Sequence, residues 1–117
     1  MSPHAPIYKL LSRDLWLEAE DRGRFEGSAV DRQDGFIHFS TGAQVRETAA
    51  KHFSDERSLV MVAVDPAVLG GALRWEPSRG GALFPHLYEP LSLDAVLYVE
   101  DIDYRDGDGH HFPDSLR

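Results

Sequence analysis

Cysteine is absent from the 117 residues, which excludes disulfides, zinc–thiolate centres and cysteine nucleophiles and leaves the compartment unreadable from redox usage. Long apolar runs are missing too. The most apolar stretch, Leu59-Val60-Met61-Val62-Ala63-Val64, falls far short of the ~20 residues that span a bilayer, so no membrane is expected. The start, Met1-Ser2-Pro3-His4-Ala5-Pro6, lacks the charged region and apolar run of a secretory leader. A cytoplasmic location is the expectation. Basic residues are in the minority, with 12 Lys and Arg against 20 Asp and Glu for a net charge of −8, and they are scattered. That balance repels a phosphate backbone at long range and disfavours a nucleic-acid partner. Nothing in the sequence specifies a protein partner.

What is present fits one domain over residues 1–117, long enough for a single core and too short for two. The core is expected from about residue 7 to 102, with flexible flanks at 1–6 and 104–117. Residues 7–11 read as a first strand. Ser12 then caps a helix with Asp14 in its first turn, Leu15, Trp16 and Ala19 on its apolar side, and an end near Gly23. Residues 27–34 carry turn formers and charges without sustained periodicity and read as a loop, with a short strand near Phe25.

The stretch Gly35-Phe36-Ile37-His38-Phe39-Ser40-Thr41-Gly42 is the most informative. Alternation places Ile37 and Phe39 toward a core and Phe36, His38 and Ser40 on a partly polar wall. Thr41 followed by Gln44 has capping-box spacing, and Gly42 leaves first-turn N–H groups uncovered, as in an anion site at a helix start. The helix itself follows from Val45, Ala49 and Phe53 at four-residue spacing. Residues 59–64, apolar at every position, predict a central strand.

Leu73-Arg74-Trp75-Glu76 predicts a further strand, and Pro77-Ser78-Arg79-Gly80-Gly81 a mobile connection of the kind that covers a site. In Phe84-Pro85-His86-Leu87-Tyr88-Glu89-Pro90, His86 and Tyr88 share a face if the chain is extended, and the two prolines mark an edge-like strand. Residues 95–99 form a last strand. The stretch 101–114, with five Asp and one Arg, is expected to be irregular beyond Asp103. Trp16, Trp75 and Tyr98 read as core.

The motifs Asp34-Gly35-Phe36-Ile37-His38-Phe39-Ser40-Thr41 with Gln44-Val45, Arg74-Trp75-Glu76-Pro77, and Phe84-Pro85-His86-Leu87-Tyr88, in that order, resemble a bacterial family known as domain of unknown function 952. The likeness runs from about residue 7 to 102. That family is similar in fold to the ADP-ribosyltransferase superfamily, which wraps a small split antiparallel sheet around NAD and uses a His on an early strand to hold the ribose. The resemblance implies that His38 is the ribose contact, and that the turn after it faces the nicotinamide or the phosphates. The superfamily's catalytic Tyr and late Glu, or the Arg set of its phosphotransferase branch, have no matched positions here. Glu89 stands where the family motif has Gly.

The expected architecture is therefore α+β: a small split, largely antiparallel sheet with two main helices, and a cleft between residues 36–39 and 86–88. The candidate catalytic residues are His38, Glu76, His86 and Tyr88, and the candidate ligand contacts are Phe36, His38, Ser40, Thr41, Gly42 and Arg74. The expected ligand is a nucleotide-like small molecule, NAD as a substrate being the leading case, and no metal is expected. His38, His86 and Glu76 lack the close helical spacing of a metal motif, and His110-His111 sits in an acidic stretch. Other readings stay open. Each histidine can be a satisfied structural residue, Arg74 and Glu76 an exposed ion pair, and the domain a binding or partner-binding module without chemistry.

Overall fold

Strand β1 (Ile7–Ser12) divides the two apolar layers of the fold. Side chains alternate across a strand, and Ile7 and Leu11 enter one cluster while Tyr8 and Leu10 enter the other. The computed structural model describes residues 5–78, 81–113 and 116. β1 pairs antiparallel with β5 (Leu59–Val64), in register from Ile7 against Val64 to Ser12 against Leu59. All six β5 residues are buried, as a strand covered on both faces requires. With β4 (Ser40–Thr41) and β9 (Val96–Asp101) they make a four-stranded sheet in the order β4-β1-β5-β9.

A second, three-stranded sheet holds β3 (Ile37–His38), β7 (Leu83–Leu87) and β6 (Leu73–Pro77), in the order β3-β7-β6. Two small ribbons complete the strands: β2 (Arg24–Phe25) with β8 (Leu91–Ser92), and β10 (Asp103–Arg105) with β11 (Gly109–His111). Every pairing is antiparallel. The helices are α1 (Arg13–Arg22), α2 (Ala29–Asp34), α3 (Val45–His52) and α4 (Pro66–Leu69). The fold is thus mixed, with antiparallel sheets and few helices. Among the described residues no helix is long and apolar enough to cross a membrane.

Helix α1 forms as its capping signals predict: the Leu15 N–H donates to Ser12 Oγ, Gly23 terminates it, and Trp16 and Ala19 are buried. Residues 27–34 do not form a loop. Ser28 caps α2 in a reciprocal box with Asp31, and Gly35, at φ 87°, ends it in the left-handed conformation that glycine adopts without strain. Asp31 is the one buried residue of this helix, so it has no apolar stripe for periodicity to detect.

Helix α3 begins at Val45 rather than Thr41, because Thr41 is drawn into β4 opposite Ile7. Gln44 supplies half of the expected box: its Oε1 accepts from the Thr41 N–H at 3.0 Å, and its Nε2 donates to the Leu83 carbonyl. The expected single strand at 36–39 is split. Its first part joins the three-stranded sheet, and the chain then crosses to the other through Phe39, whose N–H donates to the Pro85 carbonyl at 3.0 Å.

Pro85 lies in the middle strand of its sheet, not at an edge. Its ring is buried and its carbonyl accepts from the Phe39 N–H. Trp75 is 46% exposed and not core, since it lies on β6, the outer strand. The acidic stretch past Asp103 is a hairpin rather than irregular chain. Arg57 anchors it, bonded to Asp106 at 2.6 Å and stacked on Tyr104. Of the connection at 77–81, residues 79 and 80 lie outside the described residues, as do residues 1–4 of the leader and 114, 115 and 117 of the tail.

Candidate functional site

The expected cleft does not form between residues 36–39 and 86–88, because those segments are hydrogen-bonded neighbours. Ile37 pairs with Leu87 and His38 with His86. They build one continuous wall. On its inner face Ile37 and Leu87 pack into the core; on the opposite face the half-buried His38 and the buried His86 stand side by side, with ring centroids 5.6 Å apart and edge to face. Phe36 covers both, stacked on His86 at 4.1 Å and tilted against His38 at 4.5 Å.

Each histidine carries its own carboxylate partners. His86 Nδ1 bonds to Glu76 Oε1 at 2.8 Å, and the Tyr88 hydroxyl donates to the same oxygen at 2.7 Å. The predicted sharing of a face by His86 and Tyr88 thus converges on Glu76. The hydrogen bond from Tyr88, followed by that from His86, holds the Glu76 carboxyl below its ordinary range. Reciprocally, the bond to Glu76 pushes the Tyr88 phenol up. Arg74 completes this side, with its guanidinium 5.0 Å above the Tyr88 ring.

His38 is held by two residues that sequence reasoning missed. Its Nδ1 lies 2.6 Å from Asp31 Oδ1 and its Nε2 2.9 Å from Asp34 Oδ2. Ionised carboxylates only accept, so both bonds coexist when both ring nitrogens carry hydrogen. Asp31 is buried and also receives the His38 and Ser28 backbone N–H groups and the Lys9 ammonium. Burial by itself would push its carboxyl up. The hydrogen bond from His38, the charge of Lys9 and the Ser28 N–H outweigh it and hold the group well below the usual carboxylate range. The signal for Asp31 was available in Ser28-Ala29-Val30-Asp31, a capping-box spacing ahead of Gly35. Nothing local pointed to Lys9.

The structure brings together Phe36, His38, Arg74, Glu76, His86 and Tyr88. Ser40 and Thr41 belong to the other sheet. Ser40 is buried, and its hydroxyl bonds to Thr48 of α3 at 2.9 Å. Thr41 is in the other sheet with its N–H occupied by Gln44, so residues 41 and 42 do not open a helix toward an anion. Among the described residues no group of three or more His, Cys, Asp or Glu side chains is arranged to hold a metal ion.

Chemically, the wall presents two carboxylate–imidazole pairs with different hydrogen bonding. An imidazole that donates through Nδ1 to a carboxylate has Nε2 as its acceptor when neutral. That is the arrangement of His86, whereas His38 is bonded at both nitrogens.

The fold is similar to the crystal structure of protein CC0527 from Caulobacter crescentus, at 51% identity and a TM-score of 0.90, over 95% of this chain and 97% of that one. It is also similar to the solution NMR structure of CC0527, at 54% identity and a TM-score of 0.80 over 91% and 90% of the two chains. No curated protein matches significantly. The family model described as protein of unknown function (DUF952) matches residues 10–99, and the chain belongs to that family.

Proposed function

We propose that the wall formed by Phe36, His38, Arg74, Glu76, His86 and Tyr88 binds NAD or a related ADP-ribose ligand and acts at the ribose C1′ position. The observation that supports this most is the cross-strand pair of His38 and His86, each oriented by carboxylates, under one aromatic ring. The family's likeness to ADP-ribosyltransferases supplies the ligand class. In this reading the chain has that superfamily's split-sheet fold, and His38 contacts the ribose. Phe36 and Tyr88 offer aromatic faces to the base or nicotinamide, and Arg74 meets a phosphate. The C1′–N bond breaks with its electron pair leaving on nicotinamide, and the nearby carboxylates stabilise the positive charge that develops at the ribose. A hydroxyl or water then forms the new C1′–O bond and passes its proton to His86 Nε2.

A second reading is a binding module without chemistry. It is favoured by the double engagement of His38, which cannot exchange a proton without giving up a carboxylate bond. One experiment addresses both: an amide chemical-shift titration with NAD, ADP-ribose and nicotinamide on the protein and on His38→Ala, followed by measurement of nicotinamide release. Saturable shifts at residues 36–38, 74–76 and 84–88 that weaken in the variant, with release of nicotinamide, are expected. Shifts without release leave the binding module. No saturable shift up to millimolar ligand overturns the NAD reading.

A further inference from the structure

Lys9 has no role in the reading above, yet it lies in the middle of β1, 5% exposed, on the strand face it shares with Ile7 and Leu11. An ammonium in an apolar layer costs stability relative to a well-packed apolar residue. The backbone of β1 needs no charge to pair Lys9 with Val62. Nor does α2 need Lys9 for its cap, because the Ser28 N–H bonds to Asp31 Oδ2 at 2.9 Å. What Lys9 does is hold the whole Asp31 carboxylate, with Nζ 2.9 Å from Oδ2 and 3.1 Å from Oδ1. Oδ1 in turn receives both the backbone N–H of His38 at 3.1 Å and its ring Nδ1 at 2.6 Å.

We propose that Lys9 and Asp31 are a positioning pair for the site, the buried ammonium holding a carboxylate that fixes the His38 ring in place beside His86. This rests on His38 being a site residue. The two contacts from one oxygen to the backbone and ring of the same histidine define its side-chain rotamer, and the ammonium below keeps that oxygen from turning away. Neither residue touches a ligand on the face of the two histidines. They act through His38.

The test is the pH titration of the histidine rings followed by proton–nitrogen NMR in the protein, in Lys9→Met and in Asp31→Asn. The charged and titratable groups facing His38 are Asp31 and Asp34 from α2, Lys9 from β1 behind Asp31, and His86 from β7 with Glu76 and Arg74 of β6 beyond it. Losing Asp31 frees the His38 ring directly and losing Lys9 frees the carboxylate to turn, so the ring nitrogen shifts of His38 are expected to change in both variants, with a smaller change at His86. In both variants the Nδ1 signal loses its strongly hydrogen-bonded signature. Asp31→Asn retains an oxygen for the Ser28 N–H, so the readout survives if Lys9→Met does not fold. Folded variants whose His38 titration and ring signals match the parent overturn the proposal. No ligand is used, so failure of the NAD reading leaves this result legible, and unchanged ring titration with intact ligand binding refutes only the positioning pair.

Discussion

His38 and His86 are direct cross-strand partners on β3 and β7, and their rings meet edge to face at 5.6 Å. Their separation is set by the backbone ladder rather than by flexible side chains. Side chains directly opposite on one face of an antiparallel pair have Cβ atoms about 4.5–5.5 Å apart, so the pair is placed by whatever keeps the two strands in register. That support lies on the opposite face, where Leu87 packs between Ile37 and Leu73.

Leu87 is fully buried in the core cluster. Leu87→Ala is expected to cost about 2–5 kcal/mol, as for other large-to-small changes in a packed core, and to broaden the amide signals of His38 and His86. Trp75→Ala, on the outer strand, is expected to cost less than about 1 kcal/mol. Urea unfolding of the two variants gives the comparison.

Gly27 has φ 107°, and a Cβ placed there would come within 3.0 Å of Asp31 Cβ. Gly27→Ala therefore combines a strained backbone with a tight contact against the residue that orients His38. A loss of about 1–3 kcal/mol is expected, with shifted His38 ring resonances. An alanine variant as stable as the parent, with unshifted resonances, would show that the turn relaxes without moving Asp31.

Acid stability follows from the carboxylates. The folded-state values of Asp31 and Glu76 are both lowered, so their stabilisation is complete above the unfolded carboxylate range, about pH 4, and is lost as pH falls through the folded values. Unfolding free energy should decline below about pH 5. Asp31→Asn should be less stable than the parent at neutral pH, with a flatter decline in acid. Denaturant unfolding from pH 7 down to pH 2 measures both slopes.

Tyr88→Phe removes the hydrogen bond that does most to keep Glu76 low. The Glu76 carboxyl should then titrate at higher pH, as followed by its carboxyl carbon shift. Because Tyr88 is exposed, global stability should change little. A Glu76 titration unaltered by the substitution would mean that the hydroxyl is solvated instead of bonded.

Much of the scaffold is written in local rules. Ser12, Asp14 and Gly23 specify α1 by capping, residues 59–64 specify a doubly covered strand by unbroken apolarity, and alternation places Phe36 and His38 on one face. These readings need only neighbours within one or two turns of chain. Capping-box spacing was legible as well, but it occurs at both Ser28 and Thr41, and spacing cannot tell which threonine or serine a neighbouring strand will recruit.

The sequence by itself determined β1, α1 and β5 and put His38, Glu76, His86 and Tyr88 forward as candidates. Only the tertiary structure decided that the 36–38 and 86–88 segments form one wall, that Ser40 faces α3, and that Lys9 reaches Asp31 across 22 positions. Local propensity depends on residues close in the chain, whereas register and the pairing of buried charges depend on which distant surfaces exclude water together.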